Sequence, residues 1–571
     1  MDFPILEQGR LSRENQTVFG GYHAGARIGS GEFAAMENFS SDAYPLLATR
    51  PLRGVYASPA ACRGLIAKDS LCWVDGSKFV VNGYETELHL AEGQKQLVSM
   101  GAYVVIFPDK KYINTADLSD SGSLEAEYVS ASAVRFTPAD ANGDALIPGY
   151  IQSEEPQEPE NGALWLDNSG AGALLQWSAG SGMWVSVDTT YVRVSAPGIG
   201  AAFRVGDAVE LSGAPEGVAA VGTVAALGQD YLLLPGLLEG EVRQETPVTL
   251  GRYVPDMDYV IECGNRLWGC RYGVSRRGGI VNEIYASALG DFRNWQRFQG
   301  LSTDSYAVSL GTDGPFTGAV QHMGYPVFFR EGCIHKLYGS YPAAFRLQTT
   351  PCPGVQRGSS ASLALVGQML YYKSPAGVCA YDGAAPVDIS RALGAAHYTD
   401  AAAGALRGKY YISMKDGQGA YQLFVYDTAR GMWHREDATR AVCFCPCRED
   451  LFFLRGDGKI VSVTGAGERE TELHWLAETG EIGAALPDSK YLSRISLRLH
   501  LPQGGSMELW VRYDEEADWH RLAQLTGKPL GSVTLPAPVR RCDHLRLRLT
   551  GRGEMRLYSL TKTMEQGSDV F

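Results

Sequence analysis

The sequence predicts an all-β protein: a β-propeller of six to eight blades, with an inserted small β-barrel-like domain and a C-terminal β-sandwich-like module. Three observations carry this. Helical periodicity is nearly absent. Glycine makes up 67 of 571 residues, about 12% against a typical ~7%, and with 29 Tyr, 10 Trp and 27 Pro this favours strands and tight turns. A strand–turn–strand unit also recurs seven times, beginning near Ser70, Met100, Gly264, Met323, Val366, Leu406 and Arg448. In the last four, Gly324, Gly367, Gly408 and Asp450 are spaced by 43, 41 and 42 residues, and a period of ~40–50 residues is that of propeller blades.

Taken in chain order, residues 1–60 are glycine-rich with few hydrophobic runs and read as an arm lying along other surfaces. Residues 61–136 hold the first blades. The period breaks over 137–250, where the solvated linker Ser153-EEPQEPENG leads into strand-like pieces of a separate antiparallel domain. Blades resume over 251–485. From 486 to 571 the strands alternate; in Leu545-Arg-Leu-Arg-Leu a period of two sends leucines to one face and arginines to the other.

Composition and charge bound the function. With 45% hydrophobic and 20% charged residues the chain is globular, and no apolar run approaches the ~18 residues of a membrane span. The opening Met-Asp-Phe-Pro-Ile-Leu lacks a basic n-region and long h-region. Eleven scattered cysteines fit reduced core residues better than a disulfide scaffold, so synthesis in a cytoplasm is expected. The net charge of −13 is uneven: residues 137–250 carry 15 acids against 3 arginines, whereas 490–562 carry 13 Lys and Arg against 7 acids. Such asymmetry bears on partners and orientation rather than on fold.

Signatures of chemistry are few. There is no Walker loop and no G-x-S-x-G elbow. Cys443-Phe-Cys-Pro-Cys447 places three thiols at alternate positions, but the spacing is not the C-x-x-C of zinc sites; no metal or cofactor is expected. Glycosidase propellers need two carboxylates across a cleft. Here Asp75, Asp109, Asp382, Asp427 and Asp457 sit at hairpin turns, and the sialidase-like Ser305-YAVSLGTDG does not recur. No catalytic residue is assigned. Trp165, Trp177 and Trp184 are either the core of the inserted domain or a glycan-stacking surface.

Several phrases, in their order, resemble the tail nozzle (tail tubular protein B-like) family of short-tailed phages and prophages. They are Phe19-Gly-Gly-Tyr22, Met36-Glu-Asn-Phe-Ser-Ser-Asp-Ala-Tyr-Pro-Leu-Leu-Ala-Thr-Arg-Pro51, Gly264-Asn-Arg-Leu-Trp-Gly269 with Ile284-Tyr-Ala-Ser-Ala-Leu-Gly-Asp-Phe-Arg-Asn-Trp295, and Arg541-Cys-Asp-His-Leu-Arg-Leu-Arg-Leu-Thr-Gly551 with Leu557-Tyr-Ser-Leu. The resemblance implies a non-enzymatic virion protein, assembled as a homo-oligomeric ring, typically a hexamer. The ring sits below portal and adaptor proteins, beside tail fibres or spikes, and genomic DNA passes through it without sequence-specific binding and without a membrane. On this basis Glu154, Glu155, Glu158 and Glu160 are expected to face the channel, because phosphate contacts would retard sliding DNA. Arg540, Arg541, Arg546 and Arg548 are expected to face the adaptor. The alternatives are a tail-associated receptor- or glycan-binding propeller using Trp165, Trp177 and Trp184, or a propeller glycosidase.

Overall fold

Seven hairpins in the sequence become the middle strands of seven antiparallel blades in a computed structural model, which describes residues 11–566 apart from 171, 188–189, 276–277, 485–488 and 539. Blades 1 to 6 span residues 62–89, 96–123, 259–309, 318–351, 364–388 and 398–437, each a four-stranded sheet in simple sequence order. Blade 7 takes its innermost strand from Ala441–Cys447, its next two from Asp450–Arg455 and Ile460–Ser462, and the following one, Gly54–Ala57, from the other end of the chain. That pairing closes the ring.

The middle strands, such as Leu71–Asp75 and Tyr325–Arg330, are almost wholly buried. Each blade is covered on both faces, so these strands read as continuous apolar runs instead of alternating. Seven separate hydrophobic cores result, each shared by two neighbouring blades. Phe79 with Ile106 joins blades 1 and 2, Phe329 with Tyr372 joins 4 and 5, and Phe453 with Val425 joins 7 and 6. Cys445, Cys447 and Phe452 of blade 7 pack on Trp73 of blade 1 and complete the circle.

The insertion lies between blades 2 and 3, and its first and last strands pair as Ala126–Val129 with Thr249–Arg252. It therefore runs over 126–252 rather than 137–250. Two sheets enclose a core that includes Phe136, Val194, Leu232 and Leu250. A smaller four-stranded sheet is nested inside it: Tyr150–Gln152, Leu164–Asp167, Ala173–Ser178 and Met183–Ser186. The Pro/Glu-rich segment at 153–162 is a loop of this nested module, not a link between domains. The Asp207 carboxylate and Arg252 guanidinium pair inside the barrel, where both are buried.

The C-terminal module is a sandwich of two sheets. Sheet one orders Phe39–Ser40, Leu47–Thr49, Arg556–Gln566, Lys490–His500 and Gly531–Pro536, with Leu11–Gln16 also on Arg556–Gln566. Sheet two orders Phe33–Glu37, His474–Thr479, Leu545–Arg552, Ser506–Tyr513 and His520–Thr526. Two expectations are corrected here. The module takes its first C-terminal strand from 474, not 486. The first sixty residues are not a core-poor arm, because Phe19, Phe33, Met36, Phe39 and Leu47 are buried between the sheets with Leu497, Leu509 and Leu547. Among the described residues no helix is long and apolar enough to cross a membrane.

Ring closure depends on Gly54, where a Cβ would lie 2.3 Å from the Ala466 carbonyl oxygen. Gly54→Val should destabilise the protein by about 1–3 kcal/mol, as overpacked sites do. Hydrogen exchange should show lost protection at Gly54–Ala57 and Ile460–Ser462 before the other blades open.

Candidate functional site

The most heavily built polar site is a joint. Residues 36–53 run between the sandwich and blades 6 and 7, and nearly every polar residue in that stretch is engaged. Asn38 Oδ1 accepts from Arg50 Nε at 2.7 Å, and Asn38 Nδ2 donates to the His474 carbonyl at 2.7 Å. Ser41 Oγ donates to Asp427 Oδ2 at 2.6 Å, while Lys409 Nζ donates to Ser40 Oγ at 3.0 Å and Asp42 Oδ1 at 2.6 Å. Arg50 reaches Glu470 at 2.8 Å, and Arg53 pairs with Glu436 and with Asp437 at 2.8 Å. Arg50, Arg53 and Glu436 are each at least 95% buried. Burial opposes the charge on Arg53, yet Asp437 and Glu436 hold its guanidinium protonated above the usual range. Burial likewise opposes ionisation of Asp437, but Arg53 overrides it and keeps the carboxyl below its ordinary value.

A second joint lies at Phe19–Tyr22. Phe19 packs on Phe33 within the sandwich, whereas Tyr22 donates its backbone N–H to the Trp433 carbonyl of blade 6 at 2.6 Å. Gly21 allows this approach, since a Cβ there would stand 2.0 Å from the same carbonyl oxygen. A third joint ties blade 3 to the insertion. Arg266, 2% exposed, donates to the Ser287 and Ser302 carbonyls at 2.8 Å, and Asn294 accepts the Ala208 backbone N–H at 2.7 Å. Phe292 and Trp295 anchor the loop between them.

The seven inner strands carry two carboxylates, Glu262 and Asp400, each already accepting a local hydrogen bond, from the Asn265 N–H and the Tyr421 hydroxyl. A cleft of about 760 Å³ lies between residues 48–52 and the 502–505 and 552–556 loops, but its Arg552–Glu472 and Arg556–Glu554 charges are paired. The turn aspartates serve their turns: Asp75 accepts from Ala61 N–H and Asp427 from Ala429 N–H. Cys443, Cys445 and Cys447 pack between blades 7 and 1, and burial pushes the Cys443 thiol up to about 12. These are neutral core thiols.

The residues singled out from sequence fall into three places. Trp165 is 8% exposed and donates Nε1–H to the Gln152 carbonyl at 2.8 Å. Trp177 and Trp184 are half-buried. The three rings meet edge to face, with centroids 5.3 and 5.4 Å apart and interplanar angles of 66° and 61°, so they form a core rather than a flat stacking platform. Glu154, Glu155, Glu158 and Glu160 all project from the nested loop, exposed, and none forms an ion pair among the described residues; Pro156 alone is buried. The arginines on sheet two are largely neutralised. Arg548 pairs with Glu478 at 2.8 Å and lies over Trp519 at 4.0 Å; Arg546 pairs with Glu481 at 2.8 Å. Arg540 pairs with Glu516, and Arg541 is exposed.

Sequence reasoning overlooked the opposite face. On sheet one, Arg13 and Arg494 both stand across from Thr563 and Arg498 across from Ser559. All three arginines are exposed and have no carboxylate partner among the described residues. The signal was present as the alternation Arg494-Ile-Ser-Leu-Arg498.

No protein-family model matches the chain, and no curated protein does. Similar solved structures include an exo-β-1,3-galactanase from Phanerochaete chrysosporium (8% identity, 53% of this chain and 94% of that one, TM-score 0.20). Another is PorZ, a surface component of the type-IX secretion system of Porphyromonas gingivalis (11% identity, 83% and 70%, TM-score 0.26). A third is a family 43 arabinoxylan arabinofuranohydrolase from Bacillus subtilis (9% identity, 53% and 94%, TM-score 0.19). At these scores the likenesses carry nothing about activity.

Two predictions concern the joints. Arg53→Met leaves Glu436 buried without its nearest cation and should cost about 3–5 kcal/mol in urea unfolding. His434, beside the Gly21 contact in blade 6, is lowered from 6.5 to about 4, first by burial and then by Lys409; His335 is lowered likewise. Between those pH values the unfolded chain binds protons that the folded one refuses, so the contribution of these two histidines to stability is lost as pH drops from about 7 to 4.5. His434 accounts for about 3 kcal/mol of that loss, and His434→Gln should flatten the slope in unfolding curves taken across this range.

Proposed function

We propose that this chain is a structural tail protein of a short-tailed phage or prophage, of the nozzle type. It assembles as a ring beneath portal and adaptor proteins, retains the genome, and conducts DNA at ejection. The observation that carries this reading is where the family-like phrases fall. Phe19–Tyr22, Met36–Pro51 and the 264–295 phrase lie at joints between modules, and 541–551 supplies a strand of the sandwich. Residues 48–51 also line the cleft beside the sandwich, whose flanking charges are already paired. Fixing the relative pose of propeller, insertion and sandwich suits a mechanical part better than a reaction centre. The acidic excess of the insertion suits a surface that DNA must pass without adhering.

The glycan-binding and hydrolase readings have less to stand on. The tryptophans are packed against one another, and the inner strands bring no pair of unengaged carboxylates to the axis.

The test is electron microscopy of DNA-filled particles with an antibody against residues 126–252. Label at the distal end of a short tail is expected. Virions that contain none of this polypeptide would overturn the reading, and turnover of a chromogenic glycoside by the purified protein would replace it with the hydrolase one.

A further inference from the structure

We infer that copies of this chain associate head to tail, the 153–162 loop of one docking on the outer face of sandwich sheet one of the next. This deepens the ring of the proposed function, and it assigns Glu154, Glu155, Glu158 and Glu160 to a subunit boundary instead of the lumen.

The first argument is placement. Around the closed ring the insertion leaves between blades 2 and 3 and is pinned there, by Arg252 Nε on the Leu124 carbonyl at 2.9 Å and by Ala208 N–H on Asn294 of blade 3. The sandwich is held at blades 6 and 7, through Ser41–Asp427, Tyr22–Trp433 and Arg53–Glu436. From one attachment to the other is four blades in one direction and three in the other. The two modules thus leave opposite rims of the propeller, an arrangement in which each copy offers one surface forward and a different one behind. Contacts of this heterologous kind generate rings when their rotation closes.

The second argument is charge. The loop presents four exposed carboxylates within seven residues, with no ion pair among the described residues. The outer face of sheet one presents Arg13, Arg494 and Arg498, also exposed and without carboxylate partners, among the hydroxyls of Ser496, Thr534 and Thr561. Sheet two, on the other side of the sandwich, differs: Glu478 lies within 4 Å of Arg512, Arg546 and Arg548. Of the two faces, sheet one is the one whose arginines have no carboxylate partner among the described residues. Guanidinium groups accept carboxylates bidentately, and complementary surfaces of this kind set register and partner choice.

The nested module also gives the loop a firm base. Trp165 Nε1–H bonds the Gln152 carbonyl at one end of the loop, and Asn161 Oδ1 accepts the Ala179 N–H at 2.9 Å at the other. A loop held at both ends loses less entropy on docking than a free tail.

The experiment is a charge swap read by sedimentation velocity of the full chain at low and high salt. The native chain should self-associate at low salt and dissociate as salt screens the contact. Glu154→Lys/Glu155→Lys/Glu158→Lys/Glu160→Lys and, separately, Arg494→Glu/Arg498→Glu should each weaken association by about tenfold or more. The two sets combined in one chain should restore it, as should mixing the two single-set proteins. All altered positions are exposed, and unchanged thermal melting would establish that each variant folds. A native chain that stays monomeric at every concentration, or combined reversals that fail to rescue, would overturn the proposal. So would binding of a short DNA duplex that Arg494→Glu/Arg498→Glu abolishes while self-association is unaffected; the face would then belong to nucleic acid. None of these outcomes depends on the virion labelling, so the two readings fail separately.

Discussion

The buried ion cluster of Arg50, Arg53, Glu436, Asp437 and Glu470 is the constraint on which the rest of the molecule depends. It joins three distant parts of the chain: the N-terminal segment, the last strand of blade 6, and the stretch leading from blade 7 into the sandwich. Burying such charges is expensive, and an apolar replacement of equal volume is often as stable. What an ionic joint supplies is direction. A greasy contact tolerates sliding, whereas Arg50 and Arg53, each reaching two or more carboxylates, define one pose of the sandwich on the propeller. Asn38 and Ser41 add hydrogen bonds on either side of the cluster, so the pose is over-determined.

That pose matters because the propeller by itself is a stack of independent cores. Each of the seven hydrophobic clusters is shared by two blades, with no central core common to all. Such a ring is only as strong as its closure. The closing strand Gly54–Ala57 follows Arg53 directly, so the residues that seat the sandwich also deliver the strand that shuts the ring. Closure and module placement are therefore coupled through about eight residues of backbone. The insertion, by contrast, enters between complete blades 2 and 3, and its two ends pair with each other. It is supported without being part of the closure, which is why a domain of this size fits there.

Much of the propeller was legible in the sequence because its hairpins are local. Apolar strand, tight turn and apolar strand lie within about ten to twenty residues, and each of the seven such units became the middle of a blade. The sandwich was legible only in part. Its C-terminal strands alternate visibly, but Phe33–Glu37 pairs with His474–Thr479 and Leu11–Gln16 with Arg556–Gln566. Partners more than 400 residues apart leave no periodic signal, and a segment that donates single strands to several sheets reads as an irregular arm. The start of the insertion was missed for a related reason: Ala126–Val129 and Val134–Ala139 follow blade 2 with the spacing of further blade strands. The Trp cluster was legible as the core of a small β-module, though not as one nested inside another.

The two faces of the sandwich show most plainly what alternation can and cannot reveal. Leu545-Arg-Leu-Arg-Leu and Arg494-Ile-Ser-Leu-Arg498 look alike in sequence; both alternate apolar residues with arginine, and both place arginine outward. Their electrostatic states differ because of residues far away in the chain. Glu478 enters sheet two from the strand after blade 7 and gathers Arg512, Arg546 and Arg548, while Trp519 covers two of those guanidinium planes. Across sheet one the corresponding positions hold threonine and serine, which accept no charge. Counting Lys and Arg along 490–562 therefore locates a basic module without telling which of its faces keeps unpaired charge. The free charge sits where the neighbouring strands brought hydroxyls instead of a carboxylate, and such unneutralised positions, rather than the net sum, mark the face on which an acidic surface can dock.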